Sequence, residues 1–103
     1  MSFTRFAIYY LPPDGALVEF GAAWLGWDAI RGAAAIQPDV PGLDDVTMTP
    51  RKYGFHGTLK PPFRLVSGTS AEALAEAVAM MARDCAPAVA DGLALSRLGR
   101  FLA

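Results

Sequence analysis

The middle of the chain reads Lys52-Tyr53-Gly54-Phe55-His56-Gly57-Thr58-Leu59-Lys60. Side chains of an extended strand alternate between its two faces. This alternation predicts a strand over Lys52–Lys60 with a polar face that carries His56, Thr58 and Lys60. The opposite, apolar face would be buried and consists of Tyr53, Phe55, Gly57 and Leu59. Pro61-Pro62 follows without backbone donors, so the strand should end there or lie at the edge of a sheet.

Further strands are predicted towards both ends of the chain. Arg5–Leu11 is rich in aromatic and β-branched residues, as strands are. Leu93–Leu98 also has the pattern of a strand, and Arg100–Ala103 resembles the beginning of another one. Ile36–Pro50 contains several prolines and has no regular apolar period, which favours a loop.

Two segments carry apolar residues at helical spacing. The first runs from Ala16 to about Leu25, and Asp14 is a candidate for its N-cap. Gly21 and Gly26 weaken this prediction, because glycine disfavours helix interiors.

The second helical segment is Thr69–Ala86. Thr69 and Glu72 have the spacing of a capping box at its start. Its apolar stripe, which we expect to be buried, consists of Leu74, Val78, Met81 and Cys85. The order β-α-β-α-β predicts an α+β fold, with an antiparallel sheet and two helices in a single domain over residues 1–103.

Composition excludes several classes of function. Apolar residues make up 53% of the chain and charged residues 18%, so part of the apolar surface should lie in an interface. The net charge of -1 gives no basic field for long nucleic acid, and nucleic acid is not an expected partner. A single cysteine forms no internal disulfide, which favours a reducing, cytoplasmic location. No apolar run is long enough to span a membrane, and a membrane is not an expected partner.

The polar face of the predicted strand suits phosphoryl chemistry. An imidazole exchanges protons near neutral pH, and a threonine hydroxyl can donate to a phosphoryl oxygen. Arg51, Lys52 and Lys60 make the local field positive, because no acidic residue lies between Arg51 and Lys60. From spacing alone, the same residues also fit an ordinary exposed strand. One histidine and one cysteine do not form a zinc site, and Asp44-Asp45 lacks further ligands, so we predict no metal and no cofactor.

Three segments together resemble a known family: Arg5–Tyr10, Ala23–Ala29 and Tyr53–Phe63. His56-Gly57-Thr58-Leu59 is similar to the His-x-Thr-hydrophobic signature of the two-histidine (2H) phosphoesterase superfamily. The longer segments resemble one bacterial branch, a family named for phosphonate metabolism and long carried as a domain of unknown function. The resemblance runs along nearly the whole chain.

The resemblance implies two similar lobes around a cleft, each with one His-x-Thr/Ser strand. In such enzymes one histidine acts as a base on the nucleophile, and the other acts as an acid towards the leaving oxygen. His56 and Thr58 match the first motif and become the predicted catalytic residues. Lys60 and Arg51 become the predicted phosphate-binding residues. Arg5 and Tyr9 lie on a neighbouring predicted strand and could line the cleft.

The chain has one histidine, so the resemblance implies the N-terminal lobe of a longer protein that continues past Ala103. The expected function is half of the site of a phosphodiesterase acting on a small cyclic phosphate of ribose or nucleotide type. The expected partners are a small phosphorylated substrate and either a second lobe or a second copy of the chain. The lobe alone should be close to inactive. Two alternatives stay open: a non-catalytic lobe that binds a phosphorylated ligand or a protein, and an enzyme acting on a terminal cyclic phosphate of RNA.

Overall fold

A computed structural model describes residues 3–102 of the protein. These residues form two compact units, one that ends at Leu65 and one that starts at Val66. In sequence order, the first unit contains β1 (Phe6–Tyr10), α1 (Ala16–Leu25), β2 (Trp27–Asp28), β3 (Ala33–Ala34), α2 (Leu43–Arg51) and β4 (Gly57–Phe63). The second contains α3 (Ala71–Asp84), β5 (Arg97–Leu98) and β6 (Phe101–Leu102). The predicted α+β class is confirmed.

β1 and β4 pair antiparallel and bring the His56 segment beside the first strand. The register pairs Tyr10 with Gly57, Tyr9 with Thr58 and Ile8 with Lys60. One step along β1, from Tyr9 to Ile8, therefore corresponds to two steps along β4. The extra residue, Leu59, makes a β-bulge, and a second irregularity follows before Phe6 pairs with Phe63.

The two glycines that weakened the prediction of α1 have structural reasons to be there. Gly21 is buried, and a Cβ atom at this position would lie 2.3 Å from the ring of Phe55. Gly26 ends the helix in the left-handed conformation, and its N–H donates to the carbonyl of Ala22. The predicted helix is confirmed. The cap at Asp14 is wrong, since Gly15 occupies the N-cap position and no side-chain cap is formed.

A short hairpin, β2–β3, follows α1. Its turn is held by Asp28, whose carboxylate accepts hydrogen bonds from the backbone N–H groups of Ile30 and Arg31 and from the Arg31 guanidinium. Hydrogen bonding from the backbone and side chain of Arg31 holds the pKa of Asp28 below its ordinary value. The sequence had given no strand signal here, because each strand has only two residues.

The loop predicted over Ile36–Pro50 is partly wrong, because α2 begins inside it at Leu43. Asp44 and Asp45 lie in the first turn, where carboxylates interact favourably with the helix dipole. Pro50 lies near the end of the helix. Pro50 lacks the N–H for one helical hydrogen bond, but only Arg51 follows it in the helix, so the proline-rich composition misled the prediction.

The strand predicted over Lys52–Lys60 is wrong in its first half. Lys52–His56 form a turn after α2, with Gly54 in the left-handed conformation, and β4 begins only at Gly57. β4 also continues through Pro61-Pro62, as an edge strand permits. The expected buried face is wrong as well. Tyr53 is 57% exposed and Leu59 is 70% exposed, because the turn and the bulge interrupt the alternation.

The second unit contains the predicted helix with shorter bounds. Ser70, not Thr69, is its N-cap: the Ser70 hydroxyl accepts from the N–H of Ala73. Leu74 and Val78 are half-buried, but Met81 and Cys85 are exposed, so the prediction of Cys85 as a core residue is wrong. The strand predicted over Leu93–Leu98 is reduced to β5, which forms a hairpin with β6.

Much of the apolar surface is open. Among the described residues, Leu43 is the large apolar side chain that is almost fully buried, at 3% exposure, while many others are well exposed. That part of this apolar surface lies in an interface stays a prediction. Within residues 3–102, no helix has the length and apolar character that crossing a membrane requires.

Candidate active site

His56 lies at the junction between the turn and β4, and two glycine contacts fix the backbone before it. A Cβ atom on Gly54 would lie 2.6 Å from the Cβ of Ala29, so only glycine fits between the turn and the hairpin. The ring of Phe55 fills the space that Gly21 leaves open on α1. The backbone that presents His56 is therefore held from both sides by close packing.

Hydrogen bonds at both ring nitrogens fix the imidazole of His56. Nδ1 lies 2.8 Å from the carbonyl oxygen of Gly54, and Nε2 lies 3.2 Å from Oγ1 of Thr58. A carbonyl oxygen only accepts, so Nδ1 carries the proton in the neutral ring. Nε2 is then the acceptor that faces the Thr58 hydroxyl. The nitrogen that is free to exchange a proton is therefore Nε2, and it sits beside a hydroxyl that can also contact a ligand.

The structure brings Tyr9 to this pair. Its ring stacks on the imidazole of His56 with the centroids 3.8 Å apart and the planes 21° from parallel. The pairing of Tyr9 with Thr58 in the sheet explains this position. The prediction that His56 and Thr58 point to the same side is confirmed, because Nε2 and Oγ1 are 3.2 Å apart. The imidazole is half-buried and the threonine is exposed.

Arg5 is not brought to the same place. It precedes β1, whose far end, at Tyr10, pairs with Gly57 next to His56. Five residues of extended chain separate Arg5 from Tyr10, which corresponds to roughly 16 Å. Arg5 is therefore at the opposite end of the strand from the imidazole.

Lys60 is carried away from Thr58 by the bulge at Leu59. Residues paired across an antiparallel sheet have side chains on the same face. Thr58 pairs with Tyr9 and Lys60 pairs with Ile8, and these two neighbours on β1 point to opposite faces. The Lys60 ammonium lies 5.3 Å from the centroid of the Phe63 ring, so Lys60 and Phe63 share the other face of the sheet, which we call the Phe63 face. The expected common face of His56, Thr58 and Lys60 is thus wrong for Lys60.

The side chain of Arg51 makes hydrogen bonds to other parts of the fold. Its guanidinium donates to the carbonyl of Leu25 at the end of α1, and to the carbonyl and carboxylate of Asp44 in α2. It also donates to the hydroxyl of Thr47, which is buried, and contacts Gln37. These contacts join the two helices. They give no support to the predicted role of Arg51 in binding phosphate.

Replacing Arg51 with alanine should lower the free energy of unfolding of this unit by about 2 to 4 kcal/mol, since several acceptors would lose a charged donor. Urea unfolding would measure the loss. Lys52→Ala is the matched control, because Lys52 is the adjacent exposed cation and its side chain takes part in none of these hydrogen bonds. Should Arg51→Ala leave stability unchanged and weaken phosphate binding instead, the structural assignment is wrong.

Gly54, Phe55 and Gly21 were not predicted as site residues. The sequence offered one signal, the glycine before Phe55-His56, but alternation assigned it to a strand. Gly21 lies more than thirty residues away and is visible as a site residue only through its contact with Phe55. Among the described residues, no cluster of three or more His, Cys, Asp or Glu side chains could hold a metal ion.

Comparison with known proteins connects the β4 region to a described family. Residues 58–103 match the model of a family described as Protein of unknown function (DUF1045). The matched part begins at Thr58 and includes most of β4 and the whole second unit. No solved structure gives a significant match to the chain.

Two curated relatives match along most of the chain. A ribose 1,5-bisphosphate phosphokinase, PhnN, of Janthinobacterium sp. (strain Marseille) is 34% identical over 108 residues, which cover 99% of this chain and 24% of the relative. A protein of the same description from Laribacter hongkongensis (strain HLHK9) is 33% identical over 103 residues, covering 90% of this chain and 25% of the relative. The chain thus corresponds to about a quarter of the length of these relatives.

Proposed function

We propose that the chain supplies one half of the active site of a phosphodiesterase acting on a small cyclic phosphate of ribose or nucleotide type. His56 is the proton-exchanging group, through Nε2, and Thr58 donates to a phosphoryl oxygen. The observation that supports this proposal best is the ring of His56: its Nδ1 faces a carbonyl and its Nε2 faces the Thr58 hydroxyl. A ring held in this way presents one nitrogen to a ligand.

In the proposed mechanism the Thr58 hydroxyl changes its partner when the ligand binds. In the free site it donates to Nε2 of the neutral ring. It turns to donate to a phosphoryl oxygen when Nε2 takes a proton from the attacking water or, in the protonated ring, gives one to the leaving oxygen. Cleavage of a cyclic phosphate requires a proton removed on one side of phosphorus and a proton delivered on the other. One imidazole serves one side, so the second role belongs to a second lobe or to a second copy of the chain.

The names of the curated relatives support a phosphorylated ribose as the substrate class and a link to phosphonate metabolism. They are described as ribose 1,5-bisphosphate phosphokinases. The nucleotide-binding loop of P-loop kinases contains a Gly-Lys pair, and the 103 residues contain no Gly-Lys pair. A ribose phosphate, as in these names, is therefore the proposed substrate of this chain, and the kinase reaction belongs to other parts of the relatives.

The exposed apolar side chains support a lobe of a two-lobed protein, with a second lobe as the partner. A cytoplasmic location and a small phosphorylated substrate belong to the same proposal. Lys60 stays a proposed anion-binding residue, but only for a ligand that extends from the His56 site to the Phe63 face of the sheet. The non-catalytic alternative has the lone histidine in its favour, since a binding lobe needs no second proton-transfer group.

The proposal can be tested by titrating phosphate, and then a cyclic nucleoside monophosphate, into the chain while recording the ring signals of its one histidine by NMR. Both ligands should shift the signals of His56 and saturate in the millimolar range, roughly the limit for so few contacts. Thr58→Val should weaken binding at least about tenfold, because a hydroxyl donor to a charged group is lost.

Thr69→Val is the matched control, because it removes an exposed hydroxyl from the second unit. It should leave the titration unchanged. A histidine signal that does not respond to tens of millimolar phosphate, or equal effects of the two valine variants, would contradict the anion site. A hydrolysis assay run with the same cyclic nucleotide separates binding from turnover: binding without turnover in a two-lobed protein would favour the non-catalytic alternative.

A further inference from the structure

We infer that Tyr9 is a positioning residue that holds the imidazole of His56 with Nδ1 towards Gly54 and Nε2 towards Thr58. Within residues 3–102 the hydroxyl of Tyr9 makes no hydrogen bond; the contact of its side chain with His56 is the stacked ring, at 3.8 Å between centroids and 21° between planes. The inference rests on the proposed function only in what it says this orientation is for, which is to aim Nε2 at a ligand. The orientation itself is a property of the free chain.

The two hydrogen bonds of His56 do not restrain every motion of its ring. Both bonds lie at the edge of the imidazole, so they limit motion within the ring plane more than tilting out of it. A ring stacked flat on one face opposes tilting, since tilting separates the two faces or makes them clash. Tyr9 supplies this face from the neighbouring strand, so its position is fixed by the sheet and not by the turn that carries His56.

The stacked ring matters most when the hydroxyl of Thr58 turns towards a ligand. At that step Nε2 loses its hydrogen bond to Thr58, while the hydrogen bond to the Gly54 carbonyl and the stack on Tyr9 remain. Tyr53 also lies near, but its centroid is 6.5 Å away and its plane is tilted by 52°, which does not cover the imidazole face. Tyr9 is therefore the contact that can keep Nε2 aimed at the ligand throughout the exchange.

The register of the sheet makes this arrangement specific to Tyr9. Tyr9 pairs with Thr58, and Tyr10 pairs with Gly57. Adjacent strand residues point to opposite faces, so Tyr10 lies on the face away from His56. The two tyrosines have the same chemistry, occupy the same strand and are both exposed, which makes Tyr10 a matched control for Tyr9.

The test uses the 103-residue chain with three variants, Tyr9→Leu, Tyr9→Phe and Tyr10→Leu. A stacked aromatic ring moves the imidazole proton signals of His56 upfield, and the nitrogen signals of the ring report which nitrogen carries the proton. Tyr9→Leu should lose the upfield shift and mix the two neutral forms of the ring. Tyr9→Phe should keep both signatures, because the hydroxyl is not used, and Tyr10→Leu should keep them because its ring is on the other face.

The same variants are then titrated with phosphate. Tyr9→Leu should weaken binding by about two- to tenfold, the range expected from an aromatic pair, while Tyr9→Phe binds as the unaltered chain does. Unchanged ring signals in Tyr9→Leu, or an equal loss in Tyr10→Leu, would overturn the inference. If the unaltered chain binds no phosphate, the proposed function fails, and the ring signals alone still decide whether Tyr9 orients His56.

Discussion

Replacement of His56 by alanine should lower hydrolysis of a cyclic nucleotide by about 10²- to 10⁴-fold in a protein that joins this chain to a second His-x-Thr/Ser lobe. The reason is the loss of one of two proton transfers, which the second lobe cannot supply from the opposite side of phosphorus. The measurement is the rate of ring opening of a ribose cyclic phosphate at saturating substrate. The 103-residue chain alone should be slower than the two-lobed protein by a factor in the same range.

Two controls make the result decisive. His56→Gln retains hydrogen-bonding groups at the position but cannot exchange protons, so it should be as slow as the alanine variant. Arg97→Gln, in the second unit, changes an exposed residue outside the proposed site and should keep full activity. Equal rates for His56→Ala and the unaltered two-lobed protein would remove His56 from the mechanism. A monomeric 103-residue chain with full activity would overturn the half-site proposal.

Gly54→Ala should lower the free energy of unfolding by about 2 to 5 kcal/mol. Gly54 has a φ of +77°, which costs an L-residue about 1 to 2 kcal/mol. The added methyl group would also meet the Cβ of Ala29 at 2.6 Å, and overpacking of this kind costs about 1 to 3 kcal/mol. The same change displaces the carbonyl that accepts from His56 Nδ1, so the ring signals of His56 should change together with stability.

Gly32→Ala separates the two contributions. Gly32 has a φ of +64°, but nothing lies within 4 Å of an added Cβ atom. It should therefore lose only about 1 to 2 kcal/mol, through its backbone conformation. Urea unfolding of both variants measures the difference, which reports the contact with Ala29. If the two variants lose the same free energy, the hairpin does not hold the turn before His56.

The sequence was sufficient for those features that depend on local pattern. α1 has the predicted bounds, and β1 lies within its predicted range. His56 and Thr58 face the same side, because that needs only a short extended segment where the turn passes into β4. Gly21 shows the limit of local reasoning. It counted against the helix, yet its lack of a side chain is what allows Phe55 to approach.

The errors share a physical cause, which is that alternation in sequence does not require alternation in space. Lys52–His56 alternate polar and apolar residues, but a left-handed glycine turns the chain there. Lys60 stands at the correct spacing from Thr58, but the partner strand is one residue short of matching Leu59. Arg51 offered a charge near the motif, and only the positions of the Leu25 carbonyl and Asp44 determine where that charge is directed.

The bulge at Leu59 has a consequence for the comparison of homologous sequences. A single residue inserted between Ile8 and Tyr9 would give Leu59 a partner and return Lys60 to the face of Thr58. Two proteins with the same His-x-Thr-x-Lys motif can therefore display the lysine on opposite sides of the sheet. The deciding difference is a gap in an alignment, located in another strand some fifty positions upstream of the motif.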